Sequence, residues 1–168
     1  MDEMNMAALL ARPEVRSVFE QLPGAHRDLG IELVSVDDGE VRMRLPAARR
    51  VARRATSAAV HAGAVITAMD SAMGLAVLVH LSVPSSLATL ELRYDELREP
   101  VESPSILVAA RCAGIFHDLA YVDAVAKDDQ GDFARAVARF VITGGGDDFM
   151  AGAMRLLASN FGPSQGDA

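Results

Sequence analysis

The sequence predicts an α+β domain in which one long helix is wrapped by one antiparallel sheet. Three observations carry this prediction. The segment at 61–80 is apolar almost throughout and is typical of a buried helix. Two alternating segments joined by a turn precede it, and four further strand-like segments follow it. A single sheet around a single helix satisfies this order economically.

The elements before the long helix begin with a short amphipathic helix. It is predicted over 12–21 with Pro13 at its start, and a loop over 22–30 follows. Strands are predicted at 31–36 and 39–46, and the intervening Asp-Asp-Gly is a hairpin signal. This part of the chain therefore supplies the first two strands of the sheet.

The long helix is predicted from His61 to Leu81, with Pro84 beyond its end. It follows an irregular stretch at 47–60. The later elements are strands at 87–95, 105–113, 119–127 and 133–142, then a short amphipathic helix at 149–158 and a disordered tail. With the two earlier strands, the sheet has five or six strands.

Alternation along the strands predicts which side of the sheet is buried. Charged side chains such as Asp123 and Arg139 occupy one face, and small or apolar side chains occupy the other. The predicted inward set is Val41, Met43, Leu45, Ala120, Val122, Ala124, Ala126, Ala134, Ala136, Ala138 and Phe140. Small inward residues let a sheet approach a helix closely.

Composition restricts the classes of protein. The chain has 168 residues, enough for one domain, and a formal net charge of −7, which argues against general nucleic-acid binding. Cys112 is the only cysteine, so no internal disulfide forms and a reducing cytoplasm is expected. The histidines have no metal-site spacing, and no signal peptide is recognised at the N-terminus. Polar residues and many Ala and Gly in 62–79 argue against a membrane span.

The charge of Asp70 is not explained by the pattern of a buried apolar helix. It is the only formal charge between Arg54 and Glu91, within the most apolar segment, so it needs a partner or a chemical task. Gly63 and Gly74 lie on its side of the helix, as if something approaches closely there. A carboxylate and the amides of the helix N-terminus suit acyl transfer if the two meet across a dimer.

The stretch HAGAVITAMDSAMGLA resembles the signature of hotdog-fold thioesterases, in the phenylacetyl-CoA thioesterase-like branch of the 4-hydroxybenzoyl-CoA thioesterase superfamily. That signature is His-Gly-Gly, an apolar run, an Asp nine residues after the His, then Gly and Ala. The matching residues are His61, Ala62, Gly63, Asp70, Gly74 and Ala76. ATLELRYDELREP resembles the family's strand and Arg-Pro turn, with Glu99 inserted. The likeness covers 28–143, and leaves helix-containing extensions at 1–27 and 144–168.

The resemblance implies a hotdog fold, a homodimer with a continuous sheet, and a homotetramer built as a dimer of dimers. It implies hydrolysis of an acyl-CoA thioester, without metal or redox cofactor, by Asp70 acting across the interface as nucleophile or general base. The amide of Ala62, in the His61-Ala62-Gly63 segment, would hold the thioester oxygen. Thr89 aligns with a hydroxyl that positions water in some relatives.

Several residues keep two interpretations. Ala62 replaces the first glycine of the signature but retains its amide, and Ala55 stands where many members carry an Asn that orients the reacting groups. His61 is interpreted as a capping or orienting residue, or as a catalytic one. Thr89 could equally be a plain outward-facing strand residue.

Four arginines precede the long helix: Arg49, Arg50, Arg53 and Arg54. They form either a solvated surface or a set of contacts to the phosphates of coenzyme A. In the second interpretation, Arg53 and Arg54 are the residues that make the contacts.

Two further functions compete with the thioesterase. A non-catalytic acyl-CoA-binding hotdog protein would retain Asp70 as an interface residue. A hotdog enoyl-CoA hydratase or dehydratase would need a catalytic histidine paired with an acidic residue. His61 and Asp70 lie about 180° apart around the helix, so they could form such a pair only across two subunits.

Overall fold

The computed structural model describes Leu10 and residues 25–47, 59–81 and 85–144. The elements in order are α1 (Ala25–Leu29), β1 (Glu32–Asp37), β2 (Glu40–Pro46), α2 (Ala62–His80), β3 (Ser86–Glu96), β4 (Ser105–Phe116), β5 (Leu119–Asp128) and β6 (Gly131–Gly144). The predicted helices at 12–21 and 149–158, the Arg49–Arg54 cluster and Ala55 lie outside the described residues.

The helix α1 corrects the predicted loop at 22–30. It ends at Gly30, whose φ of 68° is the left-handed conformation that glycine adopts freely. The Gly30 amide donates to the Arg27 carbonyl at 3.2 Å, and the Ile31 amide to the His26 carbonyl at 2.9 Å. A five-residue helix has too few apolar positions to show a period, so the sequence carries no helical pattern there.

The six strands form one antiparallel sheet in the order β1-β2-β4-β5-β6-β3. The strand β3 precedes β4 in the chain but pairs with β6, so β1 and β3 are the two edges. The predicted hairpin between β1 and β2 is confirmed. Asp38 and Gly39 have φ values of 48° and 72°, as a two-residue turn matched to the twist of the strands requires.

The helix α2 packs against the inner face of the sheet, chiefly on β2, β4 and β5. All eleven predicted inward residues are buried, which confirms the assignment of the two faces. On the helix, the buried alanines recur every four residues at Ala64, Ala68, Ala72 and Ala76. Small side chains at this spacing allow the helix to lie close to the sheet.

The opposite side of α2 corrects the expectation that this helix is buried almost throughout. A stripe of half-exposed residues follows the helix, here called the open stripe: Ile66, Thr67, Asp70, Ser71, Gly74 and Leu78. By length and a mean hydropathy of 1.8, α2 could cross a membrane, but a helix packed against a sheet passes the same test, and half of it is buried within the protein. The open stripe is therefore the side of α2 that stays partly accessible within the described residues.

A partly buried ion pair fixes the connection after β3. The Asp128 side chain is fully buried, and Arg98 donates to its two oxygens at 2.8 and 2.6 Å. The amides of Val101 and Gln130 each donate to the same carboxylate at 2.9 Å, and Arg98 also donates to the Gly131 carbonyl. These bonds hold the β3–β4 connection against the β5–β6 turn. Hydrogen bonding from Arg98 lowers the pKa of Asp128 from 3.8 to about 2.

Because the pKa of Asp128 is lower in the folded than in the unfolded chain, its ion pair stabilises the fold above about pH 4, and this contribution is lost as the pH falls toward 2. We expect Asp128→Asn to lower the free energy of unfolding near neutral pH by roughly 2 kcal/mol, as for lost hydrogen bonds to a charged group. Urea denaturation from pH 7 to pH 2 measures both effects. The exposed control Asp118→Asn should behave as wild type, and equal losses in the two variants would contradict this role for the pair.

Candidate active site on the open stripe of the central helix

The Asp70 carboxylate is half-buried on the open stripe, near the middle of α2. The Thr89 hydroxyl, on the edge strand β3, donates a hydrogen bond to Asp70 Oδ1 at 2.9 Å. Within the described residues this is the only hydrogen bond to that carboxylate, and Oδ2 accepts none. The geometry leaves one carboxylate oxygen held by the protein and the other available to a reacting group.

A β-bulge turns Thr89 toward Asp70. Thr89 pairs with Phe140 and Glu91 pairs with Arg139, so Leu90 is an extra residue without a partner in β6. Simple alternation from Leu92, whose side chain packs against the core, would have directed Thr89 outward. The extra residue reverses the alternation and brings the hydroxyl to the helix. Thr89 is therefore not a plain outward-facing strand residue, whereas a role of its hydroxyl in positioning water stays a prediction. No feature of the strand sequence indicated the bulge.

The bond from Thr89 predicts a test of its positioning role. Thr89→Val removes the hydroxyl but keeps the branched shape, so turnover that depends on Asp70 should fall by about 10- to 100-fold, as for a lost hydrogen bond to a charged group. Thr89→Ser keeps the hydroxyl and should retain most of the activity. Steady-state kinetics of both variants measure this. A loss of turnover in Thr89→Ser with full turnover in Thr89→Val would mean that the methyl group, and not the hydrogen bond, matters.

His61 is the N-cap of α2. Its Nδ1 accepts a hydrogen bond from the Gly63 amide at 3.0 Å, and its carbonyl oxygen accepts from Ala64 at 2.9 Å and from Val65 at 3.3 Å. Nδ1 must be unprotonated to accept this bond. The geometry thus favours the capping interpretation of His61. It also occupies the Gly63 amide, so Gly63 is not a free donor.

The Ala62 amide is the one N–H of the first helical turn that no described residue accepts. The first N–H groups of a helix lack partners within the helix, and they carry the positive end of its dipole. Such an amide can stabilise a developing oxyanion. Ala62 therefore retains the donor that the first glycine of the family signature would supply.

The two predicted groups are not together within one protomer. Asp70 follows Ala62 by eight positions, which corresponds to about 12 Å along the helix axis. One thioester carbon cannot be within reach of both, because a general base or nucleophile must approach to about 3 Å. The geometry requires a second copy of the site if both groups act on one substrate.

Among the described residues, no other predicted feature adjoins this site. Arg53 and Arg54 lie outside the described residues. Two surface clefts, of about 410 and 360 Å³, lie on the outer face of the sheet, and the linings of both exclude Asp70 and Thr89. Within residues 25–47, 59–81 and 85–144, no group of three His, Cys, Asp or Glu side chains could hold a metal ion.

The strand order around one central helix is the hotdog fold, as the resemblance implied. Solved structures with this fold include the PaaI protein from the phenylacetic acid degradation operon of Escherichia coli (TM-score 0.69, 16% identity, covering 86% of this chain and 98% of that one). A thioesterase from Haemophilus influenzae gives a TM-score of 0.67 at 14% identity, covering 86% of this chain and 92% of its own. A thioesterase family protein from Silicibacter pomeroyi gives a TM-score of 0.66 at 23% identity, covering 79% of this chain and 97% of its own.

No protein-family model and no curated protein sequence matches the chain. At the identities of these three structures, the likeness establishes the fold. The residues that act and the molecule on which they act depend on the geometry of this chain itself.

Proposed function

We propose that this chain is an acyl-CoA thioesterase that works as a homodimer in the cytoplasm. The observation that carries the proposal is the Asp70 carboxylate, held on the open stripe by the Thr89 hydroxyl. Several structures that share the fold are named thioesterases, which favours the same reaction class. The substrate is an acyl thioester of coenzyme A, with Arg53 and Arg54 as the proposed phosphate contacts.

In the proposed reaction, Asp70 accepts a proton from water while the water oxygen adds to the thioester carbonyl carbon. The Ala62 amide of the second copy stabilises the resulting oxyanion. The C–S bond then breaks, and the coenzyme A sulfur takes up the proton. If Asp70 acts instead as nucleophile, its oxygen adds to the acyl carbon, the C–S bond breaks, and coenzyme A leaves as the thiolate, which takes up a proton. Water then hydrolyses the resulting mixed anhydride to the free acid and the Asp70 carboxylate. Incorporation of solvent ¹⁸O into Asp70 under single turnover separates these routes, since only the anhydride route can label the carboxylate.

Three features support the dimer. The edge strand β3 has eleven residues and, within the described sheet, pairs on one side only, with β6. The open stripe of α2 is half-exposed. The Asp70 carboxylate and the Ala62 amide are too far apart to act together in one protomer. Pairing of two β3 strands would continue the sheet and cover the stripe; assembly of dimers into a tetramer remains a prediction.

The experiment that tests the function is free-thiol release from phenylacetyl-, benzoyl-, hexanoyl- and decanoyl-CoA by the full chain. Turnover above the spontaneous rate for at least one substrate is expected, and the preferred substrate identifies the acyl class. Binding of these thioesters without turnover would support the acyl-CoA-binding alternative and overturn the proposal. Hydration of an enoyl-CoA, without thiol release, would support the hydratase.

A further inference from the structure

The His61 imidazole lies directly against the backbone of Gly63 at the start of α2. Its Nδ1 accepts the hydrogen bond from the Gly63 amide at 3.0 Å. A Cβ atom placed on Gly63 would lie 3.1 Å from this nitrogen and 3.4 Å from Cε1 of the same ring. Apart from the helix's own backbone and the two neighbouring residues, the ring is the only described group that such a Cβ would approach within 4 Å.

The backbone of α2 does not explain a glycine at position 63. Gly63 lies in the first turn of the helix, and its φ is not in the positive range that favours glycine. Within a helix, glycine is less favourable than alanine. An alanine here would, however, require the His61 ring to move by a few tenths of an ångström, away from its hydrogen bond. The missing side chain of Gly63 is therefore explained by the room that the imidazole needs.

The same hydrogen bond restrains the peptide group between His61 and Ala62. The carbonyl of this group accepts from the amides of Ala64 and Val65 at 2.9 and 3.3 Å. A trans peptide is planar, so its N–H points opposite to its carbonyl, and the Ala62 N–H is directed away from the helix. The imidazole bond joins His61 to Gly63 across this peptide group and closes a ring that contains it, which restricts its rotation.

We propose that His61 is a positioning residue for thioester hydrolysis and that Gly63 is its required partner. The imidazole bond holds the peptide group in the orientation in which the Ala62 N–H meets the thioester oxygen, and His61 itself neither touches the substrate nor moves a proton. The two positions after His61 then have different tasks. Ala62 needs only its amide, so an alanine serves there, whereas Gly63 must lack a side chain. This inference rests on the proposed thioesterase function.

Two substitutions of His61 separate positioning from proton transfer. Asparagine is a favoured N-cap, and its side-chain oxygen can accept the bond from the Gly63 amide, so His61→Asn should retain turnover within a few fold of wild type. His61→Ala removes the bond and should lower the turnover number by about 10- to 100-fold, as for a small misplacement of a reacting group, while the Michaelis constant changes less. Equal large losses in both variants, or unchanged turnover in His61→Ala, would overturn the positioning role.

A double-mutant cycle tests the partnership of His61 and Gly63. Gly63→Ala should lower turnover in the wild-type chain and cause no further loss in the His61→Ala background, where no ring stands in the way. In urea denaturation of the full chain, the same substitution should lower the unfolding midpoint of wild type. It should raise the midpoint of His61→Ala, because alanine then only improves the helix. Equal changes in the two backgrounds would overturn the partnership.

The unfolding measurements keep the two proposals apart, because they need no turnover. If the wild-type chain releases no thiol from any acyl-CoA, the thioesterase function and the positioning role both fail. Midpoint shifts of opposite sign would still establish that Gly63 makes room for His61. If the chain hydrolyses acyl-CoA but the shifts are equal in the two backgrounds, the partnership is contradicted and the function stands.

Discussion

Replacing Asp70 with asparagine is expected to lower the turnover number for acyl-CoA hydrolysis by about 10²- to 10⁴-fold, the range that a positioned general base contributes. The amide keeps the size of the carboxylate and can still accept the Thr89 hydrogen bond. It cannot take a proton from water or attack the thioester. Thiol release with the preferred acyl-CoA measures the loss, and circular dichroism checks the fold.

The control for Asp70→Asn is Asp118→Asn, the same chemical change at an exposed turn. It should leave turnover unaltered. If Asp70→Asn retains more than about a tenth of wild-type turnover, the carboxylate contributes less than a positioned base or nucleophile should. Asp70 would then be a structural residue of the interface, as the acyl-CoA-binding alternative supposes.

Replacing Ala62 with proline is expected to lower turnover by about 10²- to 10³-fold, the effect of removing one oxyanion donor. Ala62 is the first residue of α2, the position at which proline is most readily accepted in a helix. His61 already has the extended conformation, φ −68° and ψ 134°, that precedes proline. The substitution therefore deletes one N–H while keeping the helix.

Ala62→Gly is the matched control, since it keeps the amide and restores the glycine of the family signature. It should retain turnover within a few fold of wild type. In Ala62→Pro, the turnover number should fall while the Michaelis constant changes less. The reason is that the amide stabilises charge that develops only in the transition state. Unchanged turnover in Ala62→Pro would show that another donor holds the thioester oxygen.

The sheet and its core could be predicted from the sequence because they depend on local patterns. Strict alternation in β2, β5 and β6 determined which side chains are buried, and Asp38-Gly39 has the residues that its two-residue turn demands. The long helix was predicted to within one residue of its bounds, since His61 and Leu81 are its caps. These features arise from neighbours in the chain.

The details of the site depend on contacts that no local pattern encodes. Thr89 faces Asp70 only because Leu90 is bulged, and a bulge is decided by how β3 registers on β6. The pairing of Arg98 with Asp128 joins residues thirty positions apart. The half-exposure of Asp70 could not be predicted in the same way, because α2 has few polar residues to mark an exposed face and packing determines which side remains open.

The measurement that tests the central claim most directly is the activity of mixed dimers. Asp70→Asn and Ala62→Pro chains, carrying different tags, would be coexpressed and the heterodimers isolated through both tags. If each site takes Asp70 from one copy and the Ala62 amide from the other, the heterodimer has one intact site and should show about half of wild-type turnover. Turnover no higher than that of the two parent variants would contradict a site shared between subunits.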